Sequence, residues 1–257
     1  MPPFTKLIAA AALVPALLVI SPSLSLADGR VLMVVTSHDR IGGTDEATGL
    51  WLSEVTHPYY EFVDNSYDVD FVSPKGGQPP IDPRSIEAVD SVNVRFRTDS
   101  VAQARFLHTA IPDAVNPADY DIIFFAGGHG TMWDFPDNAR LARLAAAIYE
   151  NAGYVGAVCH GPAALINVIL SDDSYLVDGK KVTGFTNEEE QARGLDTIVP
   201  FLLQDKLTGR GADFVAGEKW SENIVISGRL VTGQNPASAK GVADSIIAER
   251  AASPVRK

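Results

Sequence analysis

Residues 154–162 read YVGAVCHGP, five small or apolar residues running into a cysteine, a histidine, a glycine and a proline. An uncharged run of that length predicts a strand buried on both faces. Pro162 suits the first turn of a helix, so Cys159 falls at a strand-to-helix junction. The same layout occurs upstream. DIIFFA (121–126) predicts another buried strand, ending at Gly127-Gly128-His129-Gly130, and VLMVVT (31–36) predicts a third.

Around these strands the pattern alternates. Residues 47–62 carry Leu50, Trp51, Glu54 and Val55 on one helical stripe, interrupted or ended at Pro58. Residues 69–73 (VDFVS) predict a strand and 76–85 (GGQPPIDPRS) a loop. The stretch 86–120 is the least patterned, with a helix expected over 100–109. Asp137 is a candidate cap for a helix whose core face is Leu141, Leu144 and Ile148. Residues 181–185 predict a strand and 198–207 a helix. Residues 224–226 and 229–232, separated by Ser227-Gly228, read as a small β-hairpin near the C-terminus. Asn235-Pro236 opens a last helix to about Ala251. The expectation is an α/β, doubly wound, mostly parallel sheet with helices on both faces, forming one domain over 28–257. Ligands in such sheets bind at the carboxyl ends of strands, where Gly127–Gly130 and Cys159–Gly161 both fall.

The first residues are a separate object. Lys6 precedes fourteen uncharged residues, LIAAAALVPALLVI (7–20), and Ser25-Leu26-Ala27 follows as a small-x-small pattern. That predicts a secretory signal peptide over 1–27, shorter than an ordinary membrane span, with an uncleaved anchor as the alternative, and an exported product, periplasmic or secreted, with no membrane attachment after cleavage. Over the 257 residues, 46% are hydrophobic and 21% charged, which excludes a disordered chain. The net charge is −11 with no basic run, a poor match to nucleic acid. A single cysteine excludes a disulfide framework and a cysteine-rich zinc site.

That cysteine carries the chemistry. A lone cysteine is more often a small buried hydrophobe. At a strand-to-helix junction, with Gly156 and Gly161 flanking it, it follows the logic of a nucleophile elbow with a thiol in place of a hydroxyl. A helix N-terminus beside it would favour the thiolate. His160 can serve as its base only if a third group orients the ring, and the candidates lie in GFTNEEE (184–190). Gly127, Gly128 and His129 could present backbone N–H groups and a ring to a substrate oxygen. Glu54, a carboxylate on an apolar stripe, is expected to be desolvated with its pKa pushed up, unless it reaches water at the stripe's edge. His38, His57 and His108 read as loop or packing residues, and no pair has helical zinc spacing.

FFAGGHG (124–130), GAVCHGPAAL (156–165), DGKKVTGFTNEEE (178–190), VPFLLQDKL (199–207) and LVTGQNPASA (230–239) together resemble the DJ-1/PfpI superfamily. TGLWLSEVTHPYYEF (48–62) points within it to the heat-shock chaperone and glutathione-independent glyoxalase branch. The resemblance implies a flavodoxin-like sheet and a Cys-His-acid triad of Cys159, His160 and Glu190, with Glu189 one position away as the competing acid. It implies that Glu54 is a buried glutamate beside the sulfur, and that Gly128 and the His160 backbone form the oxyanion hole. It implies a cofactor-free and metal-free glyoxalase III-type enzyme converting methylglyoxal or a related small 2-oxoaldehyde to a 2-hydroxy acid. A thiol hydrolase or amidase, a holdase chaperone with a redox-sensing cysteine and, more weakly, glutamine amidotransfer are the alternatives. A homodimer is compatible with the sequence. The export signal departs from the intracellular habit of that branch.

Overall fold

The computed structural model describes residues 28–87 and 89–253, so the expected leader at 1–27 lies outside the described residues. Among the described residues eight strands are formed: β1 (Gly29–Val34), β2 (Tyr67–Val72), β3 (Ile122–Phe125), β4 (Tyr154–Val158), β5 (Lys181–Val182), β6 (Asp213–Phe214), β7 (Ile224–Ser227) and β8 (Leu230–Gly233). The helices are α1 (Leu52–Asp64), α2 (Ser91–Thr98), α3 (Ser100–Phe106), α4 (Thr131–Asp134), α5 (Ala139–Glu150), α6 (Asn187–Arg193), α7 (Leu203–Gly209) and α8 (Ala239–Ala252).

The main sheet has the order β2-β1-β3-β4-β8-β7 and is parallel except for the antiparallel β7–β8 pair. The chain passes from β1 to β2 on one side and returns to β3 on the other. The switch point therefore lies between β1 and β3, where such sheets open a crevice at their carboxyl ends. Central strands are buried on both faces, and all four residues of β3 are fully buried. α1 packs on α8, α8 lies on β4 and β8, and α5 packs on β3 and β4. The result is the expected α/β, flavodoxin-like sheet with helices on both faces.

Several local expectations are corrected. α1 runs through Pro58 without ending. An interior proline costs about 3 kcal/mol, but burying Tyr59, Tyr60 and Phe62, each worth about 1.5–3 kcal/mol, outweighs that. Asn138, not Asp137, caps α5, accepting from the Arg140 and Leu141 N–H groups. The expected strand at 181–185 shortens to β5, which pairs with β6 in a separate two-stranded sheet. Thr183 N–H donates instead to Thr232 Oγ1, steering the chain towards the site. The helix expected over 198–207 starts only at Leu203. The expected C-terminal hairpin forms as β7 and β8, and β8 pairs with β4 to extend the main sheet.

Candidate active site

β4 ends at Val158, and Cys159 turns the chain with φ 59°, a left-handed conformation unusual for a side chain larger than glycine. Two backbone hydrogen bonds hold that turn. Cys159 N–H donates to Gly233 O (2.9 Å), and Cys159 O accepts from Phe185 N–H (2.8 Å). Gly161 must be glycine, since a Cβ there would lie 2.2 Å from Phe125 O. The elbow solves a problem that consecutive positions on a regular helix would not: it brings neighbouring side chains together. Cys159 Sγ lies 3.3 Å from His160 Nδ1.

The other edge of the His160 ring meets α6. His160 Nε2 is 2.7 Å from Glu190 Oε2, and His129 Nε2 is 2.9 Å from Glu190 Oε1. All three residues are buried. Glu190 is pushed up by burial, but the two histidines overrule that and hold it well below the usual carboxylate range. An ionised carboxylate only accepts hydrogen bonds, so both Nε2 atoms must donate. His160 Nδ1, on the other edge of the ring, faces the sulfur. His129 is kept neutral by burial and by His160 beside it, its pKa falling to about 4. The two imidazole rings are 4.2 Å apart between centroids, and Phe185 covers His160 at 4.3 Å.

Glu189 is separated from this chain by its contacts. It closes a capping box with Thr186, and its Oε1 accepts from Trp220 N–H (3.0 Å) and Asn235 Nδ2 (2.9 Å). Of the two glutamates that the sequence left in competition, Glu190 is the one that reaches His160.

Glu54 approaches the sulfur from α1. It is fully buried rather than at the stripe's edge. Oε2 accepts from Gly127 N–H (2.9 Å), while Oε1 has no nitrogen or oxygen partner. Burial pushes its pKa up to about 8, despite hydrogen bonding to Cys159 and Gly127. The expected thiolate-stabilising helix is absent among the described residues. Only a five-residue 3-10 turn, Gly161–Leu165, follows the elbow. Burial, and then the Glu54 carboxyl, push the Cys159 thiol up, against the expectation of a depressed value.

The glycine-rich strand end divides its amides. Gly127 N–H is committed to Glu54 and is not free for substrate, which corrects the expectation for that residue. Gly128 N–H faces the Cys159 sulfur. Gly128 has φ 103°, and a Cβ on it would lie 2.4 Å from Gly49 O, so this close approach needs glycine. His129 lines the pocket as expected, yet its hydrogen bond goes to Glu190 and not towards an oxyanion. Sequence reasoning missed that second histidine on the acid; no spacing rule joins the end of β3 to α6. Together His129, His160 and Glu190 place three metal-capable donor atoms within 4.8 Å of one another, the one such group among the described residues. An ion there would have to replace both histidine–carboxylate hydrogen bonds. The cavity beside the sulfur, about 40 Å³, is also lined by Trp51, Phe185, Arg193 and Trp220.

The pattern of the DJ-1/PfpI family matches residues 47–249. The glutathione-independent glyoxalase HSP31 of Saccharomyces cerevisiae is 36% identical over 232 residues, covering 85% of this chain and 96% of that protein. Glyoxalase 3 of Candida albicans is 33% identical over 238 residues, with 85% and 97% covered. Among solved structures, the Rapid Encystment Protein 24 KDa of Francisella tularensis superposes with a TM-score of 0.83 at 44% identity, covering 86% of this chain and 98% of that one. The crystal structure of Candida albicans glyoxalase III gives 0.81 at 31% identity, with 86% and 97% covered.

Proposed function

The chain belongs to the DJ-1/PfpI family, and from that premise we propose that it is a cysteine-dependent, glutathione-independent glyoxalase acting on methylglyoxal or a related 2-oxoaldehyde. One observation carries the choice. The Cys159–His160–Glu190 relay would by itself serve acyl transfer in a hydrolase. A second buried carboxylate, Glu54, stands beside the sulfur with a proton affinity matched to neutral pH. Moving a proton between adjacent carbons needs such a group, and amide hydrolysis does not.

In the proposed cycle the thiol is not stored as thiolate. His160 Nδ1 takes its proton as Sγ attacks the aldehyde carbon, and the carbonyl oxygen becomes the hemithioacetal hydroxyl by receiving that proton. Glu190 holds the charged ring in place, as the acid of a triad does. Gly128 N–H is aimed at the developing oxyanion. Glu54, in its ionised form, removes the C1 proton, giving an enediolate, and returns it to C2, while the C1 hydroxyl proton passes to the C2 oxygen, so that C1 becomes the thioester carbonyl and C2 carries the hydroxyl. The resulting 2-hydroxyacyl thioester is hydrolysed by water, releasing the 2-hydroxy acid and the thiol. No metal or organic cofactor enters these steps.

The test is incubation of the mature protein with methylglyoxal, without glutathione or added metal, followed by lactate assay beside Cys159→Ala. Lactate from the wild type alone supports the reading; equal output from both sinks it. The leader pattern at 1–27 adds a proposed location outside the cytoplasm. Mature protein from an exporting bacterial host should begin at about Asp28, and recovery of the intact N-terminus in the cytosol would overturn that.

A further inference from the structure

The cavity has a mouth chemically unlike its floor. The floor, Cys159, His160 and His129, is buried, while Arg193 and Trp220 at the mouth are exposed. Arg193 is the last residue of α6, and Gly194 (φ 68°) turns the chain away behind it. Its guanidinium carbon lies 5.7 Å from the Trp51 ring centroid and 5.1 Å from that of Trp220. Nearby cations are engaged: Lys219 pairs with Glu188, and Arg84 with Asp82. The Arg193 side chain has no carboxylate partner and no hydrogen bond among the described residues.

Trp220 is held there at a cost. Its φ of 63° is left-handed, and its N–H is fixed by the buried Glu189 carboxylate. A guanidinium lying against indole faces is oriented by them yet keeps its N–H donors free for a planar anion. The cavity's 40 Å³, at about 10–15 Å³ for each water-sized position, has room for about three such positions. The aldehyde and the carbons next to it fill that space, so the far end of a longer substrate extends to Arg193 in the cavity lining.

We propose that Arg193, set between Trp51 and Trp220, is a specificity-determining residue that binds a carboxylate on the substrate end remote from the aldehyde. The site then prefers 2-oxoaldehydes with a terminal carboxylate over neutral ones of equal length. This rests on the glyoxalase reading above and names its substrate class.

The experiment compares kcat/KM for 4,5-dioxopentanoate and for 2-oxopentanal, which has a methyl in place of the carboxylate. The wild type should favour the carboxylate about two- to five-fold, the range of an ion pair at an exposed site. Arg193→Gln should bring that ratio close to one, mainly through KM, and Arg193→Lys should recover part of it. Raised salt should shrink the wild-type ratio, since an exposed charge is screened. A ratio that is the same in the wild type and Arg193→Gln overturns the proposal while leaving the glyoxalase reading standing. Failure of the wild type to turn over either aldehyde overturns both.

Discussion

Cys159 lies between two glutamates of nearly equal burial and opposite behaviour. On the α1 side, Glu54 is fully buried, receives one backbone N–H and has no cation beside it; burial pushes its pKa up to about 8. On the α6 side, Glu190 is 2% exposed but receives two imidazole N–H groups, and those histidines hold it ionised. Desolvation is the largest influence on both, so it cannot explain the difference. Partners decide it. One fold thus sets a proton-carrying group and a permanent anion on two sides of one sulfur, and two carboxyls with proton affinities driven apart are how acid–base roles are divided.

The largest test removes what both sides serve. Cys159→Ala should abolish 2-oxoaldehyde turnover, since no other described residue at the floor can form the covalent adduct; retention of activity would end the catalytic reading of either side. Next is Glu54→Gln, which keeps the shape and the Gly127 contact but cannot carry a proton. A general base is worth about 10²–10⁴ in rate, and kcat should fall within that range. The wild-type rate should also rise with pH as Glu54 ionises near 8, and the variant should lack that limb. Glu190→Gln should cost less, as it loosens His160 without removing a group that makes or breaks a bond. If Glu190→Gln proves more damaging than Glu54→Gln, the division of labour is wrong.

The two sides were unequally legible. Tyr154–Val158 matches the predicted strand at both ends because an uncharged run bounded by Cys-His-Gly-Pro admits few alternatives. Glu54 was visible as a carboxylate on an apolar stripe, though not its depth. On the α6 side, three glutamates in one helical turn look alike in sequence. Only the placement of Trp220 and Asn235 engages Glu189 and leaves Glu190 facing His160. The thiolate expectation failed because it placed a helix N-terminus after Cys159, where only a 3-10 turn forms, and gave too little weight to burial. α2 went unseen for a related reason. Only Asn93 and Phe96 of it are buried, so no apolar period marks it, although the Asp90 and Asp99 caps were available signals.

Stability against pH should separate the two carboxyls by sign. Glu54 titrates near 8 when folded and near 4.5 when unfolded, so the folded state binds the extra proton between those values. Its penalty is absent below about pH 4.5 and complete above about 8. Glu54→Gln should therefore gain on the wild type as pH rises from 5 to 8, by on the order of a few kcal/mol at about 1.4 per unit of pKa. Glu190 is the reverse. Its folded pKa is depressed, so its contribution is present above about 4.5 and lost as pH falls. Chemical denaturation of the two variants at several pH values checks both slopes. Parallel slopes would mean that the two environments do not differ as argued.

The smallest expected effect on turnover comes from the neighbour of Glu190. Glu189 accepts from Thr186 N–H and Oγ1 with one oxygen and from Trp220 N–H and Asn235 Nδ2 with the other. Glu189→Gln replaces one acceptor oxygen with an NH₂, which turns a donor against donors and leaves buried N–H groups unpaired. An unsatisfied buried group costs about 1–3 kcal/mol, so the variant should unfold at lower denaturant. The relay through His160 does not pass through Glu189, and kcat should change far less than in Glu190→Gln. Because Glu189 fixes the Trp220 backbone at the cavity mouth, whatever kinetic change remains should appear in KM. A kcat loss equal to that of Glu190→Gln, with the fold intact, would show that the catalytic acid is a pair of glutamates rather than one.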